Sequence, residues 1–282
     1  MAWPALLLSC CAILAYGFSI ERETLYFNFS YAWIVCWLLI GERLLGYRAQ
    51  WQRSDHQLRV DLSHTFLNKG LVQLLIVSLI GLGALDGREP GALSQYPLAV
   101  QVLVGLLSAE FGLYWAHRVA HEWPWLWRFH AVHHSVRKLW LVNTGRFHFV
   151  DSFASVIGST LFLLLSGISM DAIVWVSAIT AYIGILTHCN VDMRCGPLNY
   201  VFNTPQLHRW HHSTEATIGN NNYGENLTLW DHLFGTFYFR PDDHVSDIGI
   251  RERMPAGFLG QLWIPFRWRE YQAAPADATR DL

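Results

Sequence analysis

The chain has 282 residues, a formal net charge of −2, and a composition that is 52% hydrophobic and 15% aromatic. Only 15% of its residues are charged, against about 25% in a soluble globular domain. This balance argues against a wholly water-facing protein and gives no footing for a nucleic-acid partner; it predicts a polytopic membrane protein.

A bilayer core of about 30 Å needs ~20 apolar residues per helix. Six segments approach that length: residues 3–20, 25–46, 65–85, 97–119, 149–167 and 171–189. The first opens MAWPALLLSCCAILAYGFSI, with no basic residue and no Ala-x-Ala-like site, and reads as a retained span instead of a signal peptide. Arg43, Arg48, Arg53, Arg59 and Lys69 follow the second segment, whereas the 86–96 loop has only Arg88. Arg118, Arg128, Arg137, Lys138 and Arg146 follow the fourth, the 166–171 link (SGISMD) has no Lys or Arg, and Arg194, Arg209 and Arg240 follow the sixth. The positive-inside rule then gives six spans with both termini cytoplasmic. The short link makes a helical hairpin of spans five and six. The tail after Ala273 is expected to be disordered. Cys10, Cys11, Cys36, Cys189 and Cys195 contain no Cys-x-x-Cys pair, so no disulfide framework is expected. The chain divides into N-terminal membrane helices (1–96), a histidine-bearing unit (97–240) and a C-terminal interfacial segment and tail (241–282).

Eight of the 14 histidines fall in three clusters: His117-x-x-x-His121, His130-x-x-His133-His134 and His208-x-x-His211-His212. On a helix, residues three or four apart share a face, so each cluster can aim two imidazoles at one point. Each doublet then sends one imidazole to each side, and two facing motifs could cradle two ions. Imidazole is the commonest neutral metal ligand, and eight exceed what one zinc needs. The clusters lack cysteine, which disfavours a structural zinc or iron–sulfur site, but imidazole suits iron, zinc, copper and nickel alike. All three clusters fall on the expected cytoplasmic side.

Glu110 lies seven residues before His117 on the same helix. At about 1.5 Å per residue it sits ~10 Å deeper in the membrane, where a carboxylate is a functional hypothesis by default. It is expected to hydrogen-bond a ligand imidazole or line the substrate path. Glu122 could accept a proton from a ligand imidazole and fix its tautomer. His148 is either a support or ligand of the metals or a polar cap on span five. Asn190 and Asn222 either bond metal-bound groups or cap turns. His56, His64, His232 and His244 lack a partner at metal spacing and read as packing or surface residues. Among the 14 tryptophans, Trp123, Trp125, Trp127 and Trp140 surround the second cluster and Trp210 lies in the third. Tryptophan favours the headgroup level, so the histidine-rich cap should rest on the bilayer, with GFLGQLWIPFRWREY as an interfacial helix or loop.

The stretches HRVAHEWPWLWRFHAVHHS, NTGRFH, THCNVD, TPQLHRWHHS, NNNYG and LTLWDHLFGTF occur in one order between about Leu103 and Phe239, roughly half the chain. Together they resemble the fatty acid hydroxylase / sterol desaturase superfamily of integral membrane di-iron enzymes. The resemblance implies an all-α membrane bundle of about six spans with a cytoplasmic histidine-rich cap. It makes the eight cluster histidines metal ligands and adds His188 as a ninth. Some members carry a further histidine where this chain has Asp192, so a ligand role for Asp192 stays open. In RFHFVD, Asp151 takes the place of an acidic residue that follows the histidine in relatives. The activity implied is O2-dependent hydroxylation of a C–H bond of a lipid, whether fatty acyl, sterol or related, at two iron ions, with lipid desaturation as the alternative. Glu110, Glu122 and His148 are its candidate catalytic groups. Electrons would come from NAD(P)H through a separate ferredoxin or b-type cytochrome and its reductase, since no Gly-x-Gly-x-x-Gly fingerprint followed by an acid is present. The absence of any targeting signal fits a bacterial inner membrane. Two readings of other classes fare worse. A metal transporter would place ligands near mid-bilayer on broken helices, whereas the clusters sit at helix ends. A zinc hydrolase would want His-Glu-x-x-His, which is absent.

Overall fold

Runs of Leu, Ile, Val and Phe with few breakers form helices because only a helix satisfies every backbone group without water. The computed structural model describes residues 2–82, 89 and 91–273. Arg88, part of the 86–96 loop and the tail after Ala273 therefore lie outside the described residues. Among those described, every regular element is helical, and extended pairing is confined to three isolated bridges.

Helices α1 (Ala2–Ser19) and α2 (Glu23–Leu44) form a hairpin. A continuous helical run then comprises α3 (Leu58–Ser63), a π turn (His64–Lys69) and α4 (Gly70–Gly81). Next come α5 (Leu98–Glu122), α6 (Pro124–His134), α7 (Phe149–Leu165) and α8 (Met170–Thr187). The cap continues through α9 (Pro205–His211), α10 (Ala216–Gly219), α11 (Leu229–Phe234), α12 (Phe258–Trp263) and α13 (Trp268–Ala273). Four helices, α1, α2, α5 and α8, are long and apolar enough to cross a membrane. The fifth expected span is the 17-residue apolar helix α7. At about 1.5 Å per residue it reaches ~26 Å, a little short of the hydrocarbon core. It is cut short by Gly167, whose φ of +71° turns the chain. The third expected segment coincides with the π turn and α4, and its end lies outside the described residues.

The bundle is held by small residues where backbones approach. A Cβ on Gly112 of α5 would lie 2.0 Å from the carbonyl oxygen of Gly158 on α7, so only glycine permits this crossing. Trp3, Cys10 and Leu14 of α1, Ile34 and Leu38 of α2, and Tyr182, Ile183 and Leu186 of α8 share one buried core. Ala109, Leu163, Ile168, Ala172 and Val176 form another between α5, α7 and α8. The outer faces are apolar as well. Phe153, Ile157, Leu161 and Leu165, spaced four apart on α7, are all exposed, as are Leu71, Leu74 and Leu75 on α4 and Phe29, Trp33 and Trp37 on α2. None of the described residues covers these stripes, which a bilayer would solvate.

Two features aim the cap. Trp123 takes an extended backbone conformation and Pro124 opens α6, so α5 stops at Glu122 and α6 turns back beside its last turn. Beneath the cap, Arg146 Nη1 pairs with Asp61 Oδ1 at 2.7 Å, with both side chains buried, and Trp140 Nε1 donates to Asp61 Oδ2 at 3.3 Å. In the π turn, His64 Nδ1 and Asn68 Nδ2 reach the carbonyl of Phe147 at 3.1 and 3.0 Å. That holds the 141–148 loop against the centre of the cap.

Candidate metal centre

The last turn of α5 carries His117 and His121, and α6 faces it with His130 and His134. Their Nε2 atoms meet: His117 to His130 at 3.1 Å, His121 to His134 at 3.1 Å, and His130 to His134 at 3.0 Å. His211 of α9 closes this group, its ring centroid 4.5 Å from that of His117 and 4.7 Å from that of His134. A second group comprises His133, His188, His208 and His212. Here the ring centroids of His133 and His188 are 4.8 Å apart, and Nε2 of His208 and His212 are 3.0 Å apart. Within each group one nitrogen per ring lies within 4.8 Å of all the others. Thr204 caps α9 by accepting from Leu207 N, and Pro205 opens the helix, which fixes His208 and His212 one turn apart. The structure thus divides each doublet: His134 and His211 face the first group, His133 and His212 the second.

Six rings have their tautomer set by an oxygen. Nδ1–H of His117 donates to Tyr223 O at 2.8 Å, that of His211 to Asn221 O at 2.8 Å, and that of His133 to Arg146 O at 3.2 Å. His130 donates to Asp151 Oδ2 at 2.8 Å, His121 to Asn220 Oδ1 at 3.1 Å and His188 to Asn143 Oδ1 at 3.1 Å. A neutral imidazole carries one N–H, so the Nε2 atoms of these rings are left as lone pairs. Burial keeps His133, His134, His188, His211 and His212 well below the usual imidazole pKa and brings His208 to about 3, so these rings are neutral at physiological pH.

The first group therefore packs lone pairs against lone pairs, which repel unless a cation lies among them. An ion bound to imidazole nitrogen at about 2.0–2.1 Å sets adjacent donors roughly 3 Å apart, which matches the observed spacing. The buried Nε2 atoms of His188 and His211 have no hydrogen-bond partner among the described residues. Cys189 follows His188, but burial pushes its thiol up to about 12, so it offers no thiolate. Each group fits one metal ion bound by nitrogen alone.

Residues 102–236 match the family model for fatty acid hydroxylases. An ornithine lipid hydroxylase of Rhizobium tropici is 45% identical over 275 residues, which cover 94% of this chain and 83% of that protein. The chain belongs to the fatty acid hydroxylase family. An alkylglycerol monooxygenase of Danio rerio is 32% identical over 172 residues, 60% of this chain but only 37% of the relative. A fatty acid hydroxylase of a Lecanicillium species is 27% identical over 262 residues, 82% of this chain and 67% of the relative. No solved structure gives a significant match.

Within this family member the three expected catalytic groups take other positions. Glu110 touches no imidazole. Its carboxylate accepts from Glu225 N at 2.6 Å, Asn226 N at 3.0 Å and Asn226 Nδ2 at 2.8 Å, and so ties the loop after Tyr223 to α5. Glu122 points away from His121 and pairs with Arg118 at 2.8 Å on the surface, because Glu and Arg four apart share the outer face of α5. Asn220, in place of Glu122, accepts from His121 and fixes its tautomer. His148 caps α7: its Nδ1 accepts from Val150 N at 3.1 Å and its Nε2 donates to Leu262 O at 3.2 Å, which leaves no nitrogen for a metal. Asp192 lies outside both groups, beside Arg194 at 3.6 Å. Asn190 and Asn222 brace turns against Arg48 and Tyr238. His64 and His232 are packing residues, as expected.

Asp151 is the acid that sequence reasoning left without a role. It lies in the first turn of α7, 21 residues from the ring it serves. A carboxylate behind a metal-binding imidazole raises the basicity of the ring and locks its orientation. Asp151→Asn should weaken metal binding in the first group by about 10–100-fold while the chain stays folded. Competition of bound metal against a graded chelator checks this, and unchanged retention would remove the role.

Proposed function

We propose that this lipid hydroxylase holds two iron ions, one in each imidazole group, and uses O2 to hydroxylate a C–H bond of an ornithine-type membrane lipid. The observation that carries the reading is the pair of adjoining groups, five and four imidazoles, with their lone pairs turned inward. When bound, the two ions supply the redox chemistry that activates O2 toward a C–H bond. The protein supplies the rest. Carbonyls of Tyr223, Asn221 and Arg146, with Asp151, Asn143 and Asn220, hold six rings in one tautomer. Burial keeps the rings unprotonated and excludes water. The groups lie where α5 and α8 end, so a lipid held among the helices can present its C–H bond from the membrane side.

Conversion of C–H to C–OH with one O2 consumes two electrons and two protons and releases one water. The electrons are assigned to NAD(P)H, delivered by a reductase and a separate ferredoxin or b-type cytochrome. The proposed topology has six spans with both termini and the cap cytoplasmic, in a bacterial inner membrane. It rests on the asymmetry of Lys and Arg among the loops. An ornithine-type substrate is favoured by the relative that matches nearly the whole chain.

Metal analysis of anaerobically purified protein tests the proposal. Two irons per chain are expected, with O2 uptake on adding reductant and ornithine lipid, and a product heavier by one oxygen. A product lighter by two hydrogens would make the enzyme a desaturase. One zinc and no O2 uptake would overturn the reading.

A further inference from the structure

A cavity of about 660 Å³ opens behind the second imidazole group, between the link from α2 to α3, the segment that leaves α6, and residues 247–251. Two of its walls are the chain as it emerges from the histidine doublets. Arg137 and Lys138 lie just beyond His133 and His134, and Thr214 lies just beyond His211 and His212. The third wall is bonded to the centre. Gly249 N donates to His212 O at 3.0 Å, Thr214 N donates to Asp247 O at 3.2 Å, and Ser213 pairs with Ile248 in an isolated bridge. Beneath the floor, Trp51, Leu139 and Ile248 share one buried cluster with Trp210 of α9. One hydrogen bond therefore joins the cavity wall to a residue of the second group.

Five cationic and two acidic side chains line this cavity. Lys138 is neutralised: its Nζ lies 3.3 Å from Asp55 Oδ1 and donates to Arg53 O at 3.0 Å. Arg48 is committed to the carbonyls of Val245 and Ser246, which carry no charge. Arg53, Arg137 and Arg251 are exposed. Among the described residues no carboxylate lies within 4.0 Å of any of these four guanidinium groups. A Cβ on Gly249 would lie 3.2 Å from Arg137 Nη1, so that guanidinium is laid over the very segment that bonds His212. Nothing apolar accompanies the charges. Trp51, Ile248 and Ile250 are buried, and the lining exposes no large hydrophobic side chain, unlike the outer faces of α2, α4 and α7. The mouth is suited to an anionic, water-borne surface and not to acyl chains.

We propose that this basic cavity is the dock of a small acidic electron-transfer protein, which is oxidised there one electron at a time. The inference deepens the proposed function and rests on it for the demand for electrons. Each encounter takes one electron from the carrier and sends it inward across the hydrogen bond from Gly249 N to His212 O. Two encounters supply the two electrons that O2, the terminal acceptor, consumes with two protons as C–H becomes C–OH and one water is released. Clustered cations speed such encounters, and a contact of modest size suits a partner that must leave again. The lipid reaches the centre from the membrane side, so carrier and substrate do not compete.

The test uses the full-length, metal-loaded protein in nanodiscs of zwitterionic lipid, without substrate. The probes are an acidic plant-type ferredoxin in its oxidised form, so that binding alone is read, and cytochrome c as a carrier of the opposite charge. Wild type should bind the ferredoxin and not the cytochrome, with an affinity that falls as salt rises. Arg53→Glu, Arg137→Glu and Arg251→Glu should each weaken ferredoxin binding about fivefold or more at low ionic strength. Arg269→Glu, which reverses an exposed cation of α13 outside the cavity lining, should leave it unchanged. If Arg137→Glu fails to fold, Arg53→Glu and Arg251→Glu decide, because both side chains are exposed and unpaired. No binding of ferredoxin by wild type would overturn the dock, as would equal binding of both carriers or variants that bind like wild type. Adding reduced ferredoxin, O2 and ornithine lipid separates the two claims. Binding that the reversals weaken, with no oxygenated product, sinks the hydroxylase reading and leaves the dock standing. Oxygenated product with the same dependence on ferredoxin concentration in wild type and variants does the opposite. Losses seen only in nanodiscs of anionic lipid would assign the cations to lipid phosphates and overturn the dock as well.

Discussion

His212→Ala should strip one metal ion per chain and lower hydroxylation by more than the ~100-fold typical of losing a residue that merely supports a ligand. His212 is fully buried, its Nε2 lies 3.0 Å from that of His208, and its ring stacks on His134 with centroids 4.3 Å apart. Its removal leaves the second group with three imidazoles and a void on the side of the first. The fold should survive. His212 caps the C-terminal end of α9, whose start is fixed by Thr204 and Pro205, and its backbone N–H bond to His208 O does not depend on the side chain. Metal per chain by mass spectrometry, product by lipid mass spectrometry and helicity by circular dichroism would be read together. His232→Ala is the control. That ring stacks on Phe237, bonds Tyr200 O and belongs to neither group, so both ions should remain. Full turnover by His212→Ala would remove the second group from the assignment.

Asp61→Asn should destabilise the protein by about 3–5 kcal/mol, the range for breaking a buried ion pair from one side. Arg146 also donates to Gln57 Oε1 at 3.2 Å and Ser135 Oγ at 3.3 Å, but Asp61 is the only anion it meets among the described residues. Burial raises the Asp61 carboxyl pKa in spite of that guanidinium. The pair is therefore not a large net gain; its importance appears when one partner goes. Aspartate can protonate, whereas a guanidinium cannot shed its charge. Asp61→Asn should thus cost more than Arg146→Met, and the double variant should recover part of the loss. The damage should also reach the metals, because the Arg146 carbonyl orients His133. Unfolding in mixed micelles, with metal content measured alongside, checks both effects. Equal stability of Asp61→Asn and wild type would show that the ion pair is not structural.

What the sequence disclosed follows from the range of each interaction. The histidine clusters are legible because helical spacing of three and four sets side-chain direction locally, and the split of each doublet follows from adjacency alone. His188 stands by itself in sequence, and only the family resemblance singled it out. The supports of the rings were hidden for two reasons. Asp151 and His130 meet from different helices, and Tyr223, Asn221 and Arg146 act through carbonyl groups that every residue possesses. Glu110 stands out in the sequence as a carboxylate deep in an apolar helix, but its partners lie more than 100 residues away in a loop whose path no periodicity encodes. His148 was ambiguous between ligand and cap until Val150 N and Leu262 O occupied its two nitrogens. The four longest apolar helices were evident from hydropathy. The shortened α7 and the π turn, which depend on Gly167 and on hydrogen bonds to Phe147, were not.

The division of His133–His134 and His211–His212 between the two groups has a bearing on how the centre is assembled. A first ion that pulls His134 and His211 into line also draws their neighbours, by rigid peptide geometry, toward the vacant half. Filling should consequently be all-or-none. Under metal starvation a cell would then hold complete and bare molecules side by side, with singly charged intermediates scarce.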